Sequence, residues 1–401
     1  MSPSSSSAVK VPSDLIAFDI LSRLPAKSVL RFKCVCKQWL ALASDPFFLT
    51  THNRYNPLTV SGFLIQDFAT GKLSSFSVDG GALPAIPDPS LSSLNRRFAA
   101  SDGIFVWQSC NGLVLCTTSS WQWPWNPFLL NPTTMQYREI PEPPDDLYPF
   151  KYQFILVFDP STSFQYRIAC LSSNIMPAAF ERTASQFHVE IYSSDTGTWE
   201  LLRETVPGET VVLTGVYWNG SLNWLTQNGL VVSFDVEQQL VKTTQVPPEC
   251  RGRMICYIGE SRGHLHTIEI AAEVCCGDFD WLHFYVSEMG KDNQSRHLIY
   301  DVDLNGVRDV YPEINSTPSD ENLLRISPEI SNLVYPVFFA RGREGENDKL
   351  YLCNSENILC YNLADRTCRK IFAMDSFITK NLHDALMRIE FFPLAHSLFS
   401  P

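Results

Sequence analysis

Between Val211 and Val246 four short apolar runs are divided by turn residues, and this stretch limits the possible folds most narrowly. Val211–Trp218, Ser221–Thr226, Leu230–Val236 and Leu240–Val246 read as strands. Asn219-Gly220 and Asn228-Gly229 are tight turns of the type that needs positive φ at both central residues. The spacing predicts a four-stranded antiparallel meander in about 36 residues, the design of one β-propeller blade.

The same pattern recurs along the chain. Ser109-Cys110-Asn111-Gly112 opens a strand at Leu113–Thr117, with further strands at Phe128–Asn131 and Gln136–Ile140. Both units leave through proline-rich exits, Ile140-Pro141-Glu142-Pro143-Pro144 and Val246-Pro247-Pro248. A third unit fits Phe154–Phe158, Gln165–Leu171, His188–Tyr192 and Thr198–Leu202. A fourth, less regular, lies around 253–311, and a fifth runs from about 335 to 372 with strands at Tyr351–Cys353, Ile358–Tyr361 and Thr367–Ile371. Gly62–Gln66 and Lys72–Val78 make only half a unit, which the last strand-like run, Met387–Phe392, is placed to complete. Radial repetition at this spacing predicts an all-β propeller of about six blades over residues 58–395, closed by its first and last strands so that no edge is left open. Two packed β-sheets are the alternative architecture.

Residues 11–48 are different in kind. Ile16, Ile20 and Leu24 lie four apart and share one helix face, with Ser13 and Asp14 behind Pro12 as a cap and Pro25 as a stop. A second helix fits Ala26–Phe32. A third fits Lys33–Ala43, with Val35, Trp39 and Leu42 on one face, ended by Asp45-Pro46. So small a helical unit has too little apolar surface to stand comfortably alone. It is either a cap on the β domain or a docking module.

Charge separates the two parts. The chain carries −12, yet residues 10–54 hold seven basic groups (Lys10, Arg23, Lys27, Arg31, Lys33, Lys37, Arg54) against Asp14, Asp19 and Asp45, a local +4 that leaves −16 for the rest. A large acidic domain argues against nucleic acid as its partner, and a basic helical unit steers an acidic protein toward itself. No apolar run has the length of a membrane span, so no membrane partner is expected. Residues 1–10, MSPSSSSAVK, read as a short disordered lead without a secretory signal. The twelve cysteines are scattered and form no CxxC pair, which fits free thiols and a cytoplasmic or nuclear protein. The sequons at Asn219, Asn293 and Asn315 carry no weight in that setting.

Val11-Pro12, Ile20-Leu21-Ser22-Arg23-Leu24-Pro25, Lys27-Ser28-Val29-Leu30, Val35-Cys36-Lys37-Gln38-Trp39 and Asp45-Pro46-Phe47 resemble the F-box in order and spacing, with Val11 where the family usually has Leu. The resemblance assigns residues 11–50 to this module. It implies docking on a Skp1-type adaptor, and through it on a cullin–RING ubiquitin ligase, by Pro12, Leu15, Ile20, Leu24, Pro25, Leu30, Val35, Cys36 and Trp39. Some of these must also serve as internal core, Trp39 first among them. In the β half, Ser109-Cys110-Asn111-Gly112-Leu113, Leu130-Asn131-Pro132-Thr133-Thr134, Phe158-Asp159-Pro160 and Tyr217-Trp218-Asn219-Gly220-Ser221-Leu222-Asn223-Trp224-Leu225 look like the F-box-associated, kelch-like domain of plant F-box proteins. That resemblance implies capture of a protein target for ubiquitination and does not name the target. A scaffold that binds Skp1 without promoting degradation, and a propeller enzyme with a helical cap, are the alternatives.

Chemistry-bearing clusters are few. His264-Leu265-His266 puts two imidazoles on one strand face near Glu269 and Cys275, but a third ligand at zinc spacing is missing, and ordinary blade histidines are the better reading. No phosphate loop, GxSxG elbow or HExxH helix occurs, so no catalytic residue, cofactor or metal is expected. Trp121, Trp123 and Trp125 alternate in a stretch that Pro124 and Pro127 make a loop. Exposed tryptophans there would be binding anchors for a target, although tryptophans also wedge between blades as core. The loop Pro141–Tyr148 is the next candidate.

Overall fold

The computed structural model describes residues 19–401 except 69, 80–85, 99–102, 120–123, 145–149, 174–185, 208–214, 226–229, 245–252, 273–278, 293–294, 311–333, 355–356 and 375–388. A helical unit precedes a ring of six antiparallel sheets.

The helical unit starts with a 3-10 turn at Leu21–Arg23 that Leu24 and Pro25 terminate. Helix α1 spans Ala26–Lys33, with the Pro25 carbonyl accepting from Ser28 and Val29 N–H. Cys34 and Val35 then form a turn, so α2 runs only from Lys37 to Leu42, shorter at its start than the Lys33–Ala43 helix expected. Asp45-Pro46 ends one helix and begins another, α3 at Pro46–Tyr55. Asp45 Oδ1 accepts from Phe47 N (2.9 Å) and Phe48 N (3.2 Å), and Pro46 takes the first turn, where a missing N–H leaves no gap. The core of this unit is Leu21, Ala26, Val29, Ala43 and Phe48. Trp39, expected as its centre, is only half-buried and lies against Phe32 with ring centroids 5.1 Å apart.

In the ring, β1 (Val60–Asp67) and β2 (Lys72–Ser77) pair in the order β2-β1-β23, where β23 is Ile389–Ala395. The first and last strands therefore share blade 1, as the half-unit implied. Blade 2 holds β3 (Phe105–Cys110), β4 (Leu113–Thr117), β5 (Phe128–Asn131) and β6 (Gln136–Glu139). Blade 3 holds β7 (Phe150–Val157), β8 (Arg167–Ser173), β9 (Gln186–Ser193) and β10 (Thr198–Pro207). Blade 4 has β11 (Val216–Trp218), β12 (Ser221–Leu225), β13 (Val231–Asp235) and β14 (Leu240–Thr244). Blade 5 has β15 (Arg253–Ser261), β16 (His264–Ala272), β17 (Phe279–Met289) and β18 (Arg296–Asp303). Blade 6 has β19 (Tyr335–Ala340), β20 (Lys349–Cys353), β21 (Asn357–Asn362) and β22 (Cys368–Ala373).

Six apolar clusters close the ring, one between each neighbouring pair of blades. Leu64 and Phe392 meet Val114 and Phe128 between blades 1 and 2, and Leu115 and Leu129 meet Phe154 and Ile168 between blades 2 and 3. Ile155 and Val189 meet Trp224 and Phe234, then Trp218 and Val231 meet Ile258 and Leu265. Ile268 and Phe284 meet Phe339 and Leu350, and Phe338 and Tyr351 meet Phe63 and Phe76. An inner strand packed on both faces has no polar side. That is why β4, β12 and β13 are buried almost throughout, whereas the outermost β6, β14 and β22 carry the exposed and charged positions. The innermost strands β23, β3, β7, β11, β15 and β19 contact one another in sequence around the axis.

Candidate protein-docking surfaces

The helical unit exposes apolar side chains on one small module. Ile20 is 49% exposed, Val35 63%, Leu40 49% and Phe47 67%. Pro25 and Cys36 are also exposed, and Leu24, Leu30 and Trp39 are half-buried. The structure thus leaves at least part of every described adaptor-contact candidate open, while Pro12 and Leu15 lie outside the described residues. Leu40 and Phe47 were missed by the sequence reading. Their exposure follows from the turn at Cys34–Val35 and from the extra helix α3, neither of which the apolar spacing alone reveals.

Basic groups frame the apolar positions: Lys27, Arg31 and Lys37 are exposed, and Arg23 lies over the Tyr55 ring at 4.5 Å. Beneath them, His52 is buried with Nε2 2.9 Å from the Leu24 carbonyl. Burial pushes its pKa down, the Leu24 hydrogen bond pulls it up, and Lys33 adds to the lowering, so the neutral ring bonds the 3-10 turn to α3. Asn56 Nδ2 donates to the Ser22 carbonyl (2.8 Å) and fastens the far end of α3 to the same turn.

The ring axis opens toward the helical unit. A cavity of about 1100 Å3 there is lined by the inner strands, by the turns Asn111-Gly112, Asn219-Gly220 and Arg262-Gly263, and by Asn53 of α3 with Pro57 and Leu58 just after it. Its charges are mixed, with Asp159 and Glu260 facing a rim of Arg341, Arg343 and Lys349. Burial pushes the Cys110 and Cys256 thiols on this wall up to about 12. A thiol so reluctant to ionise is a poor nucleophile at neutral pH.

His264 and His266 do share one face of β16, and both look at Glu288 of β17. His264 Nδ1 lies 2.7 Å from Glu288 Oε1 and His266 Nε2 lies 3.7 Å from Oε2, while Arg341 bonds the same carboxylate. Burial alone would raise Glu288, but the bonds from His264 and Arg341 outweigh it and hold its pKa low. His266 packs on Phe339 and burial lowers it to about 4. Glu269 faces the other side of β16, fully buried, with Arg296 at 3.0 Å and Arg253 at 3.7 Å. The arginine pairs, Arg341 with Glu288 and Arg296 and Arg253 with Glu269, tie strands together. Among the described residues no cluster of three or more His, Cys, Asp or Glu is placed to hold a metal ion, and Cys275 lies outside them.

The loop from β4 to β5 lies at the end of blade 2 away from the Asn111-Gly112 turn. Trp121 and Trp123 fall outside the described residues. Trp125 does not serve as an exposed anchor: it is 4% exposed, with its ring edge-on to Trp107 (6.1 Å) and Phe154 (5.9 Å) between blades 2 and 3. Glu142, from the exit loop, accepts from Trp125 N and Asn126 N and ties the two candidate loops together. Of Pro141–Tyr148, only 141–144 are described.

Comparison with known proteins agrees with this geometry. The F-box domain matches residues 12–51, and the F-box associated beta propeller domain matches residues 68–258. The chain therefore carries an F-box domain followed by an F-box-associated β-propeller domain. It is 28% identical to the F-box protein At5g07610 of Arabidopsis thaliana over 96% of this chain and 91% of that protein. It is 27% identical to the F-box protein At5g49610 of the same plant over 64% of this chain and 72% of that one. A putative F-box/kelch-repeat protein of the same species, At1g62270, is 30% identical over 56% of this chain and 55% of its own length. Among the described residues no helix is long and apolar enough to cross a membrane.

Proposed function

We propose that this protein is the target-recognition subunit of a Skp1–cullin–F-box ubiquitin ligase, acting in the cytoplasm or nucleus. The observation that carries the reading is the set of apolar side chains left open on the F-box, Ile20, Val35 and Leu40, framed by Lys27, Arg31 and Lys37. A module of this size that leaves such residues in water gains by docking them on a partner, and its charge favours an acidic one. Pro12, Leu15, Leu24, Pro25, Leu30, Cys36 and Trp39 complete the adaptor face in this reading.

The propeller then holds the target. The F-box occupies the end of the ring where β3–β4 and β11–β12 turn, so the free end is the opposite one, where β4 ends at Thr117 and β6 ends at Glu139, and Trp121 and Trp123 are the target anchors in this reading. A target held there is kept within reach of a conjugating enzyme carried elsewhere in the assembly, and the chain itself supplies proximity rather than a reacting group.

Co-purification with a Skp1 homologue tests the first half. Val35→Asp with Leu40→Asp should abolish it without changing the melting of the propeller. Full-length native protein that captures no Skp1 homologue would refute the reading. Target capture is tested by proximity labelling with residues 11–50 deleted, followed by asking whether a labelled protein is ubiquitinated with the native chain and not with the Val35→Asp/Leu40→Asp variant.

A further inference from the structure

Three of the motifs that mark the propeller domain meet at one place, beneath the segment 396–400 that follows β23. Asn131, of Leu130-Asn131-Pro132-Thr133-Thr134, is fully buried. Its Oδ1 accepts from Thr133 N (2.8 Å) and Thr134 N (3.1 Å), while its Nδ2 donates to Ser397 O (3.2 Å), Ser397 Oγ (3.0 Å) and Phe399 O (2.7 Å). Gly112, of Ser109-Cys110-Asn111-Gly112, has φ +81°, and a Cβ there would lie 2.5 Å from Ser397 Cβ. Its carbonyl accepts from Ser397 Oγ (3.2 Å). Phe158, of Phe158-Asp159-Pro160, is bonded through its carbonyl to Asn111 Nδ2 (2.8 Å) and meets the Phe399 ring edge-on at 5.5 Å. The two apolar residues so gripped point to different domains. Phe399 belongs to the cluster between blades 2 and 3, whereas Leu398 is buried in the core of the F-box with Leu21, Ala26, Val29, Ala43 and Phe48.

We propose that residues 396–400 are a strap that fixes the F-box on the propeller, with Leu398 and Asn131 as positioning residues for the ligase reaction. Without the strap the two domains are joined through the linker Pro57–Thr59, the packing of Leu49 and Leu58, and the bond from Arg343 Nη2 to the Pro57 carbonyl (2.9 Å). The apolar patch of the F-box and the free end of the propeller keep a constant relation only while Leu398 is seated.

Asn131→Asp isolates the strap. The carboxylate still accepts from Thr133 and Thr134, but it faces the Ser397 and Phe399 carbonyls with an acceptor instead of a donor. Non-cysteine spin labels at Lys37 of α2 and Thr243 of β14 should give one narrow distance distribution in the native protein and in Leu398→Met, and a broad one in Asn131→Asp. Phe399→Ala, which only empties a groove between two blades, should broaden it as well. A narrow distribution in both Asn131→Asp and Phe399→Ala, or a broad one in the native protein, would overturn the strap. The functional arm rests on the ligase reading: adaptor affinity should stay within about twofold in Asn131→Asp while ubiquitination of a bound target falls about tenfold, as tethering without orientation predicts. Loss of adaptor binding in the native protein would count against the ligase reading alone, since the distance measurement needs no adaptor.

Discussion

His266 shows how a side chain becomes structural through desolvation. Its ring is 0% exposed, between Phe339 and the Glu288 carboxylate, and burial outweighs that carboxylate to bring its pKa to about 4. The unfolded chain holds this proton from about 6.5 downward. The unfolded state therefore binds more protons between the two values, and stability present above pH 6.5 is lost as the pH falls toward 4. At pH 5.5 the loss from this residue is on the order of 1 kcal/mol. Thermal melting at pH 7.5 and 5.5 should show the propeller less stable at the lower pH, and His266→Gln should narrow that difference. A native melting temperature that rises on acidification would contradict the assignment. The two histidines were legible as a pair on one strand face from their spacing alone. Their partner was not, because Glu288 comes from the neighbouring strand and only the register His266↔Glu288 brings it there.

At the scale of single elements, the F-box core differs from the one its helical spacing implies. Val35, Trp39 and Leu42 share a face only if the helix begins at Lys33. The break at Cys34–Val35 rotates Val35 into solvent and leaves Trp39 half-covered. Phe48, which lay at the edge of the helical reading, takes the central position because Asp45 caps a further helix. Phe48→Ala should cost about 3–5 kcal/mol, enough to unfold the module. Trp39→Ala should cost less than half of that and act mainly on adaptor binding. Circular dichroism with adaptor titration separates the two, and equal destabilisation by both substitutions would contradict this core. The strands were more legible than the helices. β5 was read to the residue and β12, β13 and β14 to within two, because turns with an obligate positive φ, such as Asn219 at +50° and Gly220 at +75°, announce themselves in the chain. β3 was missed because Phe105–Cys110 is an inner strand whose alternation is broken by a bulge between Val106 and Gln108. Trp125 was legible as a tryptophan in a loop, but its burial comes from Trp107 and Phe154, remote in sequence.

For the whole molecule, closure is the dominant fact. β23 supplies the inner strand of blade 1 and pairs with β1 along its length, from Asp67↔Ile389 to Val60↔Ala395. Without it, blade 1 would lose Phe392 and Leu394 from the contact with blade 2 and leave β1 with an open edge. A chain lacking residues 389–401 should therefore aggregate or melt well below the native protein, with loss of cooperativity across all six blades rather than in blade 1 alone. Hydrogen exchange would show it, and protection retained in blades 3 to 5 would argue that the blades are independent. Six blades were readable from the repeat of turn residues, and the shared blade 1 from the unpaired half-unit at its start.

That ring also sets a timetable. The F-box is synthesised before the propeller, and β23 and Leu398 are made more than three hundred residues after it. At ordinary elongation rates that interval is roughly 20–70 s. During it the F-box lacks one of its core side chains and five blades wait with both ends of the ring unsealed. Neither domain of the nascent protein is complete until β23 and Leu398 have been made, and that one short segment completes both.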